Sequence, residues 1–510
     1  MADRTAPIEN GCSPTGNERV IEHFDVLIIG AGLSGISAAY HLQKECPSKT
    51  FTILEARQSM GGTWDLFRYP GVRSDSDMYT LGYRFRPWRQ VKAIADGPSI
   101  LSYIRDTARE FGIDRKIRYG FQAKLASWSS ALARWTVQAT LPTGTTIGFT
   151  SSFLFLCSGY YDYTEGYMPG WPAMDQYRGR IVHPQQWPED LEYKDKRIVV
   201  IGSGATAVTL VPALAQAAAH VTMLQRSPTY IVARPSEDAL ANWLRPRLGA
   251  RLAWSLARWK NVLLGMYFYS LARRKPDETK KRILRLAQKE LGPGYDARKH
   301  FSPRYNPWDQ RLCLVPDADL FLAIRSGKVS IVTDEIETFT EKGIRLKSGD
   351  ELEADLVVTA TGLKLRLLGG MQVIVDGIPI NPARALSYKG TMYSDIPNLA
   401  SVFGYINASW TLKADLTAEY VCRLLNYMDA RGYDTCTPHR RDPSLVEQPA
   451  IHFTSGYFQR GGDALPKQGS KEPWKLHQNY ARDMLQLRFA RIDDGVIEFT
   501  RLRETSCPAE

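Results

Sequence analysis

Cysteine is scarce here, and its spacing is wrong for chemistry. Seven residues (Cys12, Cys46, Cys157, Cys313, Cys422, Cys436 and Cys507) are scattered over 510 positions without a C-x-x-C pair. No histidine stands at metal-ligand spacing to them. The pattern excludes a redox cysteine pair, argues against a zinc site or disulfide framework, and fits a reducing cytoplasm with no metal bound. Residues 1–23 are polar, include acids and lack an apolar core segment, so a flexible N-terminal tail is expected rather than a secretory signal. Ile198–Gln225 has no Asp, Glu, Lys or Arg over a bilayer-spanning length, but Gly202, Gly204 and Pro212 interrupt it as they would a strand-turn-helix-strand unit. Low-complexity tracts and short repeats are absent. So is the aromatic-basic interleaving of a nucleic-acid module, and no nucleic-acid partner is expected.

What is present is a globular composition, 44% hydrophobic and 23% charged, with a net charge of +11. A diffuse positive field suits capture of a multiply phosphorylated ligand. The stretch FDVLIIGAGLSGISAAYHLQKECPSKTFTILEA reads as strand, glycine turn, helix and strand, with Gly30, Gly32 and Gly35 in G-x-G-x-x-G spacing. Gly30 permits the tight turn, Gly32 lets a pyrophosphate approach the backbone, and Gly35 lets helix and strand pack closely. The helix N-terminus adds free N–H groups. Glu55, 25 residues after Gly30, ends the second strand where an acid accepts ribose hydroxyls.

The unit recurs as KRIVVIGSGATAVTLVPALAQAAAHVTMLQRSP, with Gly202, Gly204 and Ala207 at the glycine positions and Arg226 and Ser227 where the acid would stand. A guanidinium there can take a ribose 2′-phosphate that a carboxylate would repel. The first site therefore reads as FAD and the second as NADPH. Two further apolar runs, SFLFLCSGYY and ADLVVTATGL, end in small residues suited to delivering backbone to a ligand; Thr361 and Gly362 close the second. The expected fold is α/β: an FAD-binding domain of residues 24–165 and 350–510, interrupted by an NADP-binding domain of residues 166–349. Ser236 to His300 reads as a helical insert, basic beside apolar stripes, with a weak membrane-surface contact as its functional version and ordinary packing as the simpler one.

Two longer patterns carry a family resemblance. YRGRIVHPQQWP matches F-x-G-x-x-x-H-x-x-x-W-[P/D] at Gly179, His183, Trp187 and Pro188, with Tyr177 where Phe is usual. MGGTWDLFRYPGVRSD matches G-G-x-W-x-x-x-x-[F/Y]-P-[G/M]-x-x-x-D at Gly61, Gly62, Trp64, Tyr69, Pro70, Gly71 and Asp75, with Thr63 inside it. From about residue 24 to about residue 500 the chain resembles the type I, FAD- and NADPH-dependent Baeyer–Villiger monooxygenases.

The resemblance implies an enzyme that uses NADPH and O2 to form a C4a-peroxyflavin. This inserts oxygen beside a ketone carbonyl, giving an ester or lactone, and oxidises sulfides or thiocarbonyls as a second activity. It implies Arg311 as the active-site cation, Asp75 as the carboxylate that orients it, and Gly62, Thr63, Trp64 and Asp75 beside the cofactor. Gly179, His183 and Trp187 are implied in a linker that lets the NADP domain move without coming loose, with Gly179 permitting a turn. Gln310 departs from the Lys often found before the active-site Arg, and Gly456 from a Trp in a late loop. The alternatives are a heteroatom-only flavin monooxygenase, which Trp187 and the Asp75–Arg311 pair argue against, and a non-catalytic peripheral-membrane flavoprotein.

Overall fold

The computed structural model describes residues 22–310, 312–451 and 453–502. Nearly all of the expected N-terminal tail and the active-site candidate Arg311 lie outside the described residues.

Among the described residues the chain builds two principal sheets. The first has nine strands. Glu22–Ile29 pairs in parallel with Phe51–Glu55 on one side and with Thr146–Leu156 on the other. Its VLII core is completely or nearly completely buried, because a parallel strand covered on both faces has no polar side to show. Leu33–Glu45 crosses over between the first two strands. The long helix Trp410–Arg431 covers that crossover, and Ser37 Oγ donates to Asp415 Oδ1 at 2.6 Å where they meet. The first sheet is completed by segments distant in sequence, Gln372–Val375 beside Gln122–Ser129 and Leu399–Ser401 beside Thr146–Leu156.

The second sheet has five parallel strands in the order Val329–Thr333, His220–Gln225, Arg197–Ile201, Leu356–Thr359, Arg180–Val182. The segment Ile198–Gln225 is strand, helix Ala205–Leu214 and strand, and no helix among the described residues is long and apolar enough to cross a membrane. Leu356–Thr359 pairs with Arg197–Ile201, so the chain leaves this sheet only after Thr359 and the return expected near residue 350 lies later. LVVT is buried on both faces in either sheet, and its local pattern could not say which neighbours it would find.

The chain passes between the sheets twice, and the two passages lie side by side. Tyr161–Gly166 pairs antiparallel with Leu363–Leu365, and an ion pair between Lys364 and Glu165 ties them. Within the insert stand Ala239–Leu248, Ala250–Arg274, Pro276–Leu291 and Ala297–Phe301, all helical as expected.

Candidate active site

The first glycine turn is held by steric necessity. Gly30 has φ +104°, and a Cβ there would lie 2.6 Å from the Cys157 carbonyl oxygen; one on Gly35 would overlap the Gly30 carbonyl. Gly32, by contrast, faces Gly62 across a gap, with a Cβ on Gly32 lying 3.5 Å from Gly62 Cα. Gly62 has φ +57° and a Cβ there would reach 3.1 Å from Gly32 Cα, so side chains at this pair would fill the space beside the helix N-terminus. An open strip of backbone before a helix is what a pyrophosphate needs.

Glu55 ends the second strand as expected and is buried. Its Oε2 accepts from the Ala31 N–H at 2.7 Å and its Oε1 from the Arg57 N–H at 2.9 Å. Burial raises its pKa and these two hydrogen bonds oppose the rise. A carboxylate oxygen has a second lone pair, so acceptor capacity remains on the cleft side.

One cleft gathers Gly30, Gly32, Glu55, Gly62, Thr63, Trp64 and half-buried Asp75. Its far wall is aromatic: Tyr160 stacks on Trp410 at 5.1 Å and 13°, Phe403 packs against both rings, and Phe458 completes the group. Trp410 Nε1 donates to Ser34 Oγ at 2.9 Å, fixing this wall to the first turn of the glycine helix. An aromatic-walled cavity thus adjoins the glycine cradle.

The loop carrying Asp75 joins the two nucleotide units. A Cβ on Gly71, whose φ is +75°, would lie 2.7 Å from Ala213 Cβ and 2.8 Å from the Thr209 carbonyl, both on the helix of the second unit. Arg73 reaches Asp319 at 2.5 Å, an ion pair of a first-domain loop with a second-domain helix. The segment from Gly62 to Asp75 is therefore a bridge, with one close backbone approach at Gly62 to the first unit and one at Gly71 to the second.

Of the residues that sequence reasoning missed, Asp65 is the best supported. It is 1% exposed and accepts from Ser59 Oγ, while Arg57, Arg68 and Arg105 lie at 2.8, 3.4 and 2.9 Å from its carboxylate. Three cations on one buried acid fix the loop after Gly62. The signal available was a lone acid among aromatics, with its arginines up to 40 positions away.

In the second unit Gly202 has φ +139° and a Cβ would overlap the Ala360 carbonyl, whereas a Cβ on Gly204 would meet nothing within 4 Å. Ala207 is fully buried, so the third position tolerates a methyl group. Gly204 precedes helix Ala205–Leu214, leaving an open phosphate-sized face there. Arg226 and Ser227 are exposed at the end of the next strand, and Ser203 Oγ donates to the Ser227 carbonyl at 3.1 Å. Arg460, from Gly456–Gly461, lies 3.4 Å from the Tyr167 ring centre, and its guanidinium is close enough to feel the charge of Arg226.

Of the linker residues, His183 is bonded at the double passage. His183 Nδ1 accepts from the Gln185 N–H at 3.2 Å, so its proton is on Nε2, which donates to the Gly362 carbonyl at 3.2 Å. Burial lowers its pKa. Gly362 has φ +104° and also accepts from the Tyr167 N–H at 3.0 Å, while Thr361 Oγ1 donates to the Tyr167 carbonyl. Thr361 and Gly362 thus stand at the joint rather than in the flavin-side cleft. Trp187 packs edge-on against Tyr193, 6.3 Å between centres. Gly179 does not have a positive φ, contrary to the turn expected of it. A side chain is excluded there because Tyr177, whose OH donates to the Ala354 carbonyl at 3.0 Å, folds its ring over the site. Gln310 Nε2 donates to the Thr454 carbonyl at 3.2 Å, and Gly456 leaves room in which the Arg460 guanidinium sits.

The comparisons agree with this arrangement. Residues 93–255 match the flavin-binding monooxygenase-like family, and residues 28–96 match an NAD(P)-binding Rossmann-like domain. The chain is 57% identical over 481 residues to the FAD-containing monooxygenase EthA of Mycobacterium tuberculosis, covering 94% of this chain and 98% of that protein. It is 52% identical to EthA of Mycolicibacterium smegmatis over the same shares of each.

The chain belongs to the family of FAD-containing monooxygenases.

Among solved structures this monooxygenase shares its fold with a steroid monooxygenase bound to NADP, at a TM-score of 0.69 and 22% identity, over 82% of this chain and 88% of that one. It shares it also with cyclohexanone monooxygenase, at a TM-score of 0.69 and 20% identity, over 82% and 90%. The cofactor pair read from the two βαβ units, FAD and NADP, is the pair present in another such structure, at a TM-score of 0.66. The two cradles described above fit that pair.

Proposed function

We propose that this monooxygenase is a Baeyer–Villiger enzyme: ketone, O2, NADPH and a proton give an ester or lactone, NADP⁺ and water. Thioether or thiocarbonyl sulfur is its second substrate class. The observation that carries the reading is the single cleft that joins the Gly30–Gly32–Gly62 cradle, Asp75 and an aromatic chamber.

FAD, when bound and reduced by NADPH, would supply the activation of dioxygen, one of whose oxygen atoms reaches the substrate while the other leaves as water. The chain's residues do the rest. Gly30, Gly32, Gly62 and the helix N-terminus hold the FAD pyrophosphate, Glu55 takes ribose hydroxyls, and Thr63 and Trp64 line the approach. Gly202 and Gly204 hold the NADPH pyrophosphate. Arg226 takes the 2′-phosphate, with Arg460 as the second cation that the family pattern provides through the Lys replaced by Gln310. Arg311 would supply the site's permanent positive charge, because a guanidinium can stabilise negative charge without giving up a proton. Asp75 would orient that guanidinium. The aromatic chamber excludes water and receives the apolar substrate. Neutral His183 and Trp187 keep the two inter-sheet passages together while the NADP domain moves.

The test is product analysis with NADPH, ¹⁸O2 and a panel of linear, cyclic and aryl ketones beside aryl sulfides. Esters carrying one ¹⁸O are expected; sulfoxides without any ester would reduce the activity to heteroatom oxidation.

A further inference from the structure

The insert carries a surface that the oxidation chemistry does not use. Helix Ala250–Arg274 buries one face, where Arg258 donates to the Tyr79 and Gly82 carbonyls at 2.8 Å and Asn261 donates to Asp77 at 3.0 Å. On the opposite face Leu252, Leu256, Trp259, Leu263 and Tyr267 form a stripe at helical spacing, each 41–61% exposed. The preceding helix adds Trp243 and Leu248, 54% and 42% exposed. Large apolar side chains in an unbroken row on a soluble surface signal a partner.

The charge says which partner. From Ala239 to Arg274 there are seven Arg and Lys and not one Asp or Glu. Exposed Arg247, Arg251 and Arg274 have no carboxylate partner among the described residues, and Arg247 lies over the Trp243 ring at 4.2 Å. A second copy of this surface would bring cations against cations. An anionic bilayer answers both features: its headgroups take the arginines and its acyl boundary takes the leucine and tryptophan stripe.

We infer that the Ala239–Arg274 helices dock this monooxygenase in the interface of an anionic lipid membrane, lying in its plane. The docked helix also grips residues 77–82, directly after Asp75, so the element that meets lipid is fastened to the loop that borders the catalytic cleft.

The experiment is flotation of the full-length holoenzyme with vesicles of phosphatidylcholine alone, or with about a third phosphatidylglycerol, at low and high salt. Binding to the anionic vesicles, weakened by salt, is expected. Leu256→Glu/Leu263→Glu should lower the bound fraction by about tenfold or more, with FAD content and NADPH consumption on a water-soluble substrate as in the parent. Arg251→Glu, which leaves the stripe intact, should lower binding to anionic vesicles by several-fold. The inference is overturned if the parent does not float, or if the double variant floats as well as the parent. It is overturned equally if the parent is a dimer without lipid affinity that the double variant makes monomeric.

Discussion

Two glycines of the second nucleotide unit, two residues apart, should respond oppositely to one added methyl group. Gly202→Ala places a Cβ into the Ala360 carbonyl at a φ of +139°. The left-handed backbone costs about 1–2 kcal/mol and the overlap about 1–3 kcal/mol more, because the neighbour is main chain directly after strand Leu356–Thr359, not a flexible side-chain end. Gly204→Ala meets nothing within 4 Å, at a φ of −79° that any residue accepts. Its intrinsic cost is only the preference for Gly over Ala before a helix, about 1 kcal/mol or less. That methyl group projects into the space assigned to the pyrophosphate. The assay pairs thermal release of flavin fluorescence with steady-state NADPH kinetics. Gly202→Ala should melt well below the parent, whereas Gly204→Ala should melt close to it and raise the NADPH KM by about tenfold, equivalent to about 1.4 kcal/mol of lost binding. An unchanged KM in Gly204→Ala would refute the phosphate assignment, and a melting point as low as that of Gly202→Ala would refute the open face.

Three further outcomes follow from the site. Arg226→Ala should raise the NADPH KM far more than the NADH KM; an equal rise would remove Arg226 from recognition of the 2′-phosphate. Trp187→Ala should loosen the joint and uncouple NADPH consumption from product, read as hydrogen peroxide released per NADPH, and unchanged coupling would contradict the linker role. The His183 pKa is lowered by burial, so the unfolded chain binds a proton more readily than the fold below about pH 6.5. The neutral ring's contribution to stability is complete above that pH and falls as pH drops toward the lowered folded value. His183→Gln should flatten that part of the pH–stability curve, and an unchanged slope between pH 5 and 7 would show that the ring does not report there.

Local patterns carried the two strand-turn-helix-strand units. The two glycine turns and the strand-end positions of Glu55 and Arg226 were legible because each depends on spacing within one strand-turn-helix unit. The helical insert was legible through its periodicity. Features set by distant partners were not. LVVT at 356–359 reads as a buried strand in any parallel sheet, and only its pairing with Arg197–Ile201 assigns it to the second domain. Gly179 looked like a turn glycine, but its reason lies in the Tyr177 ring, held down by a carbonyl 177 residues away. Asp65, a lone acid among aromatics, did not disclose its partners, since Arg105 comes from a separate helix. Nor did Arg460, because its place over the Tyr167 ring depends on how a late segment folds back.

We propose that the positive charge of Arg311, with Asp75, lets reduced flavin and dioxygen attack a carbonyl. The direct measurement compares the parent with Arg311→Ala in two half-reactions: anaerobic bleaching of the flavin by NADPH, then ester formed on adding oxygen and ketone. Flavin reduction within about threefold of the parent, with ester formation lost by about a hundredfold or more, is the predicted result. Ester formed by Arg311→Ala at the parent's rate would contradict it.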